Sequence, residues 1–311
     1  MVVSGSRRQW ILAGLVFAVL LSGTATAGDA ENAVRLQTIL QRMARTASLF
    51  RDTALEFACR EKISWRGFGE PGQAAFEYVF VYDDEKGFQD YRTIPFLGKR
   101  RKAPKEISPD DQGVPWYLRS AYLWVFVFRD SRQFLHHYRL AGEEEILGVQ
   151  AVKIEFEPIL PIQTKLNDWY GTAWVDPELG QLLKVVAFSP EDHKTKTMWE
   201  DFRAANITDA ARAEFGTITT LFTEERNGLR FPGKVILEHA RYRGQRDASA
   251  DGNLGKKLTR QDVHMFETEK RGGARKIVLL RVEQTYRKYQ FFSVRTADEI
   301  KSYILRNAPG K

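Results

Sequence analysis

The sequence predicts a mainly β protein of the α+β class, with one antiparallel sheet and a few helices packed against it. Apolar and polar residues alternate with a period of two over most of the chain from Leu55 onward, as expected for strands. These runs follow one another directly, whereas parallel strands need a crossover of about a dozen residues or more. With 43% hydrophobic residues among 311, the chain can build a core without covalent cross-links. We expect a single domain over residues 28–311.

A cleavable secretory signal is predicted over residues 1–27. The basic pair Arg7-Arg8 precedes an apolar run at 11–21, and a small-residue motif ends at Ala27, which is the order of a signal peptide. The apolar run is too short to cross a hydrocarbon core, which needs about 20 residues. We therefore expect cleavage between Ala27 and Gly28, and a mature protein in the periplasm.

Two other types of export signal share features with this segment. Leu20-Leu21-Ser22-Gly23 resembles the approach to a lipoprotein cleavage site, but Thr24 follows instead of cysteine, so there is no thiol to lipidate. Ser6–Leu12 loosely resembles a twin-arginine signal. The sequence leaves the export route open between the general secretory pathway and the twin-arginine pathway, and it predicts no lipid anchor.

The first element after the signal is an amphipathic helix over residues 30–51. Leu36, Leu40, Met43 and Phe50 recur at steps of three, four and seven residues, which places them on one helical face. We interpret this helix as packed against the sheet by that face.

From Leu55 the hydrophobic period changes to two, which predicts a strand over 55–65. Cys59 is the single cysteine and lies on the apolar side of this strand. We interpret it as a small buried hydrophobe rather than a reactive thiol. With one cysteine no intramolecular disulfide can form, so the fold must depend on its core.

Further strands are predicted along the rest of the chain, and turn residues separate several of them. Pro177 and Gly180 predict one hairpin, since Pro presets φ and Gly accepts positive φ. Asn227-Gly228 predicts another. The predicted strands are 74–83, 88–94, 133–141, 149–157, 170–176, 181–189, 214–226, 232–243, 258–268 and 275–294.

Helices are predicted at two further places only, near 114–126 and at the C-terminus, where Thr296–Glu299 forms a capping box. Two polar stretches, 97–113 and 244–257, are predicted loops. The first carries five cations flanked by prolines, namely Lys99, Arg100, Arg101, Lys102 and Lys105. This segment is either solvated or in contact with an anionic membrane surface, and both alternatives remain open.

No motif for catalysis, metal binding or nucleotide binding is present in the sequence. The chain has five histidines, but it lacks HExxH, CxxC, G-x-S-x-G and phosphate-binding glycine loops. Adjacent His136 and His137 point to opposite faces of a predicted strand. The acidic clusters lie at strand ends or in loops, so we expect no catalytic residue, no metal and no cofactor. The formal charge of +7 is interspersed with acidic residues and does not favour nucleic acid as a partner.

Some predicted strands, such as 181–189, are apolar on both faces, although a half-solvated strand would alternate. Both faces must then be covered, either by a packed core under a helix or by the wall of an apolar pocket. Because the sequence does not say which face of each strand turns inward, the candidates for lining a pocket form a pool. The pool comprises Phe57, Phe80, Ile154, Phe156, Trp174, Val186 and Phe222.

Three passages of the sequence, 140–158, 170–185 and 289–294, resemble the outer-membrane lipoprotein-sorting proteins of the LolA/LolB-like superfamily. The resemblance implies an open, strongly curved antiparallel β half-barrel that helices close over an apolar cavity. Its better-known members carry lipids or the acyl chains of lipoproteins across the periplasm. The present chain is longer, with 97–113 and 244–257 as expected insertions. No ligand-contacting residue can be aligned with the family.

Three functions are compatible with these observations. The leading expectation is a periplasmic carrier of an apolar or lipid-like ligand, without catalysis, and lipid or lipoprotein trafficking is one such role. The second is an interaction or sensor module that binds an envelope protein, and the third is a hydrolase whose carboxylates come from distant segments. The half-barrel interior discriminates between them. An open apolar cavity would favour the carrier, and a filled interior would favour the interaction module. Convergent polar groups with shifted pKa values would favour the hydrolase.

Overall fold

The computed structural model describes most of the predicted β domain. The described residues are 27–53, 57–67, 71–83, 87–93, 124–159, 169–205, 212–243, 268–271 and 274–291. The predicted signal up to residue 26, the basic segment 97–113, the loop 244–257 and the predicted C-terminal helix lie outside them. No helix among the described residues is long and apolar enough to span a membrane.

One large sheet accounts for most of the described residues. Its eleven strands are β1 Phe57–Arg66, β2 Gly72–Asp83, β3 Gly87–Thr93, β4 His136–Ile146, β5 Val149–Pro158, β6 Tyr170–Asp176, β7 Gln181–Phe188, β8 Arg212–Leu221, β11 Lys234–Arg243, β12 Thr268–Arg271 and β13 Ala274–Phe291. A separate hairpin is formed by β9 Glu224–Arg226 and β10 Leu229–Phe231.

Ten strands of the sheet lie in the order β3-β2-β1-β13-β11-β8-β7-β6-β5-β4, and β12 pairs with β13. Every ladder is antiparallel. Among the described strands, the first pairs with the last, from Phe57 opposite Phe291 to Arg66 opposite Arg281. Among the described residues β3 and β4 do not pair with each other, so the sheet is an open half-barrel. The predicted fold class is confirmed.

Four helices are described: α1 Ala27–Thr53, α2 Trp124–Val127, α3 Asp130–Gln133 and α4 Pro190–Ala204. Helix α1 agrees with the predicted helix at 30–51. Helix α4 contradicts the prediction that no helix interrupts the strands between 126 and the C-terminus. It begins at a Ser-Pro pair, and the Ser189 hydroxyl oxygen accepts a hydrogen bond from the amide of Asp192 at 3.1 Å, which caps the helix.

The inner face of the sheet, defined as the face packed against α1 and α2, carries the main core. From β1 it takes Phe57, Cys59 and Ile63, each at most 2% exposed, so the predicted burial of Cys59 is confirmed. Other strands contribute Phe76, Tyr78, Val152, Ile154, Phe156, Ala173, Val175, Leu182, Val185, Ala187, Ile218, Val235, Leu237, Val282 and Tyr286.

The outer face, on the opposite side, carries two smaller clusters. Trp199 of α4 packs with Ala213 and Phe215 of β8. Farther along the sheet, Trp174 packs with Ala151 and Leu183. Strand β7 therefore has apolar neighbours on both faces, which explains why its sequence does not alternate.

Both predicted hairpins are present. In the β6–β7 turn the side chain of Asp176 accepts hydrogen bonds from the amides of Glu178 and Leu179, at 2.8 and 3.0 Å. The turn ends at Gly180, whose φ is +64°. The β9–β10 turn is formed by Asn227 and Gly228, with φ of 51° and 76°, as a tight hairpin of this kind requires.

Candidate functional site

Helices α1 and α2 fill the inner face. Met43, Ala47 and Phe50 of α1 are at most 2% exposed, and all four residues of α2 are buried. The ring of Phe50 lies 4.8 Å from that of Phe231. The void left beneath α1 measures about 10 Å³, which is room for one water molecule. In the described part of the chain, the inner face is a packed core.

Polar contacts hold α1 to the rest of the molecule at several points. Thr46 donates a hydrogen bond to the carbonyl oxygen of Leu179 at 2.9 Å, and Arg42 donates one to the carbonyl oxygen of Pro177. A Cβ at Gly180 would lie 2.5 Å from the carbonyl carbon of Arg42. Glycine therefore permits the close approach of α1 to the β6–β7 turn.

The structure brings four of the seven pool residues together and separates two others. Phe57, Ile154, Phe156 and Phe222 belong to the inner core. Trp174 lies in the outer cluster, and Val186 packs against it. On β6 the neighbours Ala173 and Val175 point inward, so Trp174 must point outward. A common interior for all seven residues is therefore wrong for Trp174 and Val186. The side chain of Phe80 lies outside the described part.

The inner core contains a buried ion pair. Arg92 of β3 donates hydrogen bonds from Nε and Nη2 to Glu61 of β1 at 2.5 and 2.9 Å, and both side chains are at most 1% exposed. Gln284 donates to the same carboxylate at 2.9 Å. Burial alone would lower the pKa of Arg92, but hydrogen bonds and charge from Glu61 outweigh it and raise that pKa. Arg92 therefore stays charged, and its contacts with Glu61, together with that of Gln284, link β1, β3 and β13.

A second candidate site is a groove on the outer face between α4 and strands β4 to β6, with a volume of about 610 Å³. We call it the α4 groove. Its aromatic lining includes Tyr170, Phe188 and His193, and the His193 ring stacks on Tyr170 with centroids 3.9 Å apart. Its charged walls are formed by Arg139, Glu155, Glu157, Lys196 and Glu200.

Charges of both signs alternate around the α4 groove. Arg139 pairs with Glu155, and Lys196 pairs with Glu200 at 2.7 Å. Burial lowers the pKa of His193, and Lys196 lowers it further, whereas Glu157 and Glu200 act in the opposite direction. His193 is therefore neutral at pH 7, which leaves its ring suited to stacking and hydrogen bonding.

The side chains of the α4 groove are suited to binding a ligand or partner through noncovalent contacts. Its side chains supply hydrogen-bond donors and acceptors, both signs of charge and stacking surfaces. Among the described residues, no three His, Cys, Asp or Glu side chains form a group that could hold a metal ion.

Sequence reasoning missed the α4 groove because it missed α4. The available signal was Ser189-Pro190-Glu191-Asp192, which combines a capping serine, a proline at the first helical position and acidic residues in the first turn. The Asp192 carboxylate also accepts a hydrogen bond from the amide of Gly216 at 2.7 Å. This contact ties the start of α4 to β8 and sets one wall of the groove.

No protein-family model and no curated protein matches this sequence. Solved structures similar to it include a DUF1329 family protein from Desulfovibrio piger, with a TM-score of 0.39, 11% identity, and coverage of 87% of this chain and 97% of that one. A putative outer membrane lipoprotein-sorting protein domain from Vibrio parahaemolyticus has a TM-score of 0.37, 10% identity, and coverage of 88% and 98%. A LolA superfamily protein from Nitrosomonas europaea has a TM-score of 0.34, 11% identity, and coverage of 84% and 96%.

Proposed function

We propose that this protein is a non-enzymatic binding module of the periplasm that recognises a protein partner through the α4 groove. The observation that carries the proposal is the packing of the inner face in the described part of the chain, where a void between α1 and the sheet measures about 10 Å³. The α4 groove, of about 610 Å³, is by contrast open on the outer face. A filled interior favours the interaction module over the carrier.

The chemistry of the α4 groove supports a polypeptide as the partner. Exposed ion pairs such as Arg139–Glu155 contribute little stability, so they can exchange partners at small cost. Tyr170 and His193 present stacked rings, and aromatic side chains are enriched at protein interfaces. A peptide segment with charges of both signs and an aromatic side chain would match this arrangement.

Site-specific photocrosslinking in cells that export the full chain would test this proposal. A benzophenone side chain replaces His137, which lines the groove and is exposed. The matched control replaces Glu178, whose side chain is 81% exposed in the β6–β7 turn. We expect one discrete protein adduct from position 137 and none from position 178. The proposal fails if the two positions give the same adducts or if neither reacts.

The purified partner then allows a direct binding measurement. Tyr170→Ala removes the surface on which His193 stacks, and we expect it to weaken partner binding about tenfold or more, as truncation of an aromatic interface residue commonly does. Val34→Ala, at a position on α1 that is 68% exposed, is the control. Equal affinities of the two variants would contradict a role for the groove.

A lipid carrier remains the second candidate, because α1 covers a sheet that is otherwise open. Six buried apolar side chains attach α1 to the core: Ile39, Leu40, Met43, Ala47, Leu49 and Phe50. The five larger side chains each contribute up to about 3 kcal/mol, and Ala47 contributes less. A sixteen-carbon acyl chain would recover on the order of 12 kcal/mol at about 0.8 kcal/mol per methylene. The two quantities are comparable, so an acyl chain could replace the helix if α1 lifts.

A disulfide between positions 46 and 179 would test the carrier. The hydrogen bond from Thr46 to Leu179 places these positions side by side, and Cys59→Ala removes the native thiol. A carrier should take up a fluorescent fatty acid when the disulfide is reduced and exclude it when the disulfide is formed. Failure of the reduced protein to take up any probe, together with no co-purified lipid, would exclude the carrier.

A further inference from the structure

A second outer-face groove lies on β2, β1 and β13, toward the opposite edge of the sheet from the α4 groove. Its volume is about 620 Å³. Four cations line it, Arg60, Lys62, Arg287 and Lys288, all exposed. The hydroxyl residues Ser64 and Thr285 line it as well. We call this surface the basic groove.

A β-bulge turns an additional cation toward the basic groove. Opposite β13, Ala58 pairs with Gln290 but Arg60 pairs with Arg287, so Cys59 alone faces two residues of β13. As a result Arg287 and Lys288 are both exposed, between buried Tyr286 and Tyr289. Lys288 has φ of 59°, an uncommon conformation for a residue other than glycine. Backbone strain of this kind clusters at functional sites.

Like charges face each other across the ladder beside this bulge. Arg60 and Arg287 are directly opposite, an arrangement that destabilises an antiparallel pair. Arg60 has a counter-charge in Glu77 at 3.2 Å. Within the described ranges, no carboxylate lies within ion-pair distance of Lys62, Arg287 or Lys288.

The other acidic residues that line the basic groove are already occupied. Glu61 is buried and bonded to Arg92. Glu283 pairs with Lys234 and with Arg281, each at 2.8 Å. The three remaining cations therefore give the groove a local positive charge that no described side chain neutralises.

We propose that the basic groove binds a phosphate-bearing anion. A guanidinium such as that of Arg287 can donate two parallel hydrogen bonds to phosphate oxygens. Lys62 and Lys288 add point charges, and the hydroxyls of Ser64 and Thr285 add neutral donors. A bound phosphate would reduce the repulsion between Arg60 and Arg287. Anion binding therefore accounts for two like charges that face each other at a cost in stability. The phosphate belongs either to a lipid headgroup or to a free ion.

The test compares two variants that each lose three positive charges. The first carries Lys62→Gln, Arg287→Gln and Lys288→Gln. The matched control carries Arg35→Gln, Lys194→Gln and Arg226→Gln, on α1, α4 and β9. Binding to phosphatidylcholine vesicles with and without phosphatidylglycerol is measured by co-sedimentation at low salt, and binding of inorganic phosphate by calorimetry.

We expect the groove variant to lose anion binding by about fivefold for each charge removed near an anionic surface, and the control to retain it. Loss on phosphatidylglycerol vesicles alone identifies a lipid headgroup as the source, and loss in the phosphate titration alone identifies a free ion. Equal losses in both variants, or binding of neither anion by the wild type, would overturn the proposal.

Lys288→Gly separates binding from folding. Glycine adopts positive φ without steric cost, so we expect this variant to melt at the same or a higher temperature than the wild type while it binds the anion several-fold more weakly. Unchanged binding by Lys288→Gly would show that the strained cation is not part of the site.

Discussion

At the scale of single residues, the ion pair between Glu61 and Arg92 links strands β1 and β3, which are not neighbours in the sheet. The Arg92 guanidinium also lies 4.8 Å from the centroid of the Tyr78 ring, on the strand between them. Removing one partner leaves the other charged and buried, whereas removing both leaves a polar cavity with no net charge.

We predict that Arg92→Met lowers the free energy of unfolding by about 3–5 kcal/mol, because it leaves the Glu61 carboxylate without its counter-ion. The double variant with Glu61→Gln should recover part of that loss. Urea unfolding of the two single variants and the double variant measures the coupling. Additive losses would show that the pair does not act as a unit.

The second residue-level prediction concerns His193 in the α4 groove. Burial and then Lys196 lower its pKa from the ordinary value of 6.5, so the unfolded chain binds the proton more tightly than the folded one. We expect this residue to reduce stability as the pH falls below 6.5. NMR titration should give a pKa below 6.5, and Lys196→Gln should raise it. A titration at or above 6.5 would contradict the burial of this ring.

The pool of lining residues shows what the sequence could specify at this scale. The residue types were right for a core, since Phe57, Ile154, Phe156 and Phe222 are all buried in one cluster. Which face each strand turned inward was not encoded locally, because Trp174 and Val186 lie in strands that are apolar on both sides. Only the helices packed on each face decide between the two.

At the scale of elements, the sequence was sufficient to predict those helices and hairpins that are formed by residues close together in the chain. The turn residues of the β6–β7 and β9–β10 hairpins and the apolar stripe of α1 each specified their element. Helix α4 was missed because its apolar positions are few, and Met198 and Phe202 remain 49% and 37% exposed. Its stability depends on a cap and on one tryptophan buried against β8.

Helix α1 provides the third prediction. Phe50→Ala removes a ring that is 1% exposed and should lower the free energy of unfolding by about 3–5 kcal/mol, as expected for a buried phenylalanine. Val34→Ala on the same helix should change it by less than about 0.5 kcal/mol. Chemical denaturation of both variants measures the difference. A small loss at Phe50 would mean that α1 detaches easily, which favours the carrier.

The fourth prediction tests whether the basic segment 97–113 contacts an anionic membrane surface. If Lys99, Arg100, Arg101, Lys102 and Lys105 contact anionic headgroups, replacing all five by glutamine should weaken co-sedimentation with anionic vesicles by about fivefold for each residue in contact. The variant of the basic groove is the natural comparison. Unchanged binding would identify 97–113 as a solvated loop.

At the scale of the whole molecule, the predicted cleavage site coincides with the first described residues of the structure. Helix α1 begins at Ala27, so cleavage before Gly28 would release the helix nearly intact. We predict that protein isolated from the periplasm begins at Gly28, as N-terminal sequencing would show. Replacing Ala27 with lysine should leave the precursor uncut. A mature N-terminus inside α1, beyond residue 39, would contradict this assignment because it would remove part of the core.

The order of strands in the sheet could not be predicted from the sequence. Alternation specifies that a segment is a strand, and a tight turn specifies its nearest partner. Neither specifies that β13 lies between β1 and β11, because those contacts join distant parts of the chain. The resemblance noted in the sequence implied an open antiparallel half-barrel, which is confirmed, but it specified no strand order.

The pairing of β1 with β13 also sets the order in which the protein can mature. If the chain is exported unfolded and N-terminus first, one side of β1 stays unpaired until the segment around position 291 has followed. Contacts this distant in sequence form slowly, and an unpaired strand edge is prone to aggregation or proteolysis meanwhile. With export of this kind, we expect holding chaperones to determine the yield of the protein more than its final stability does.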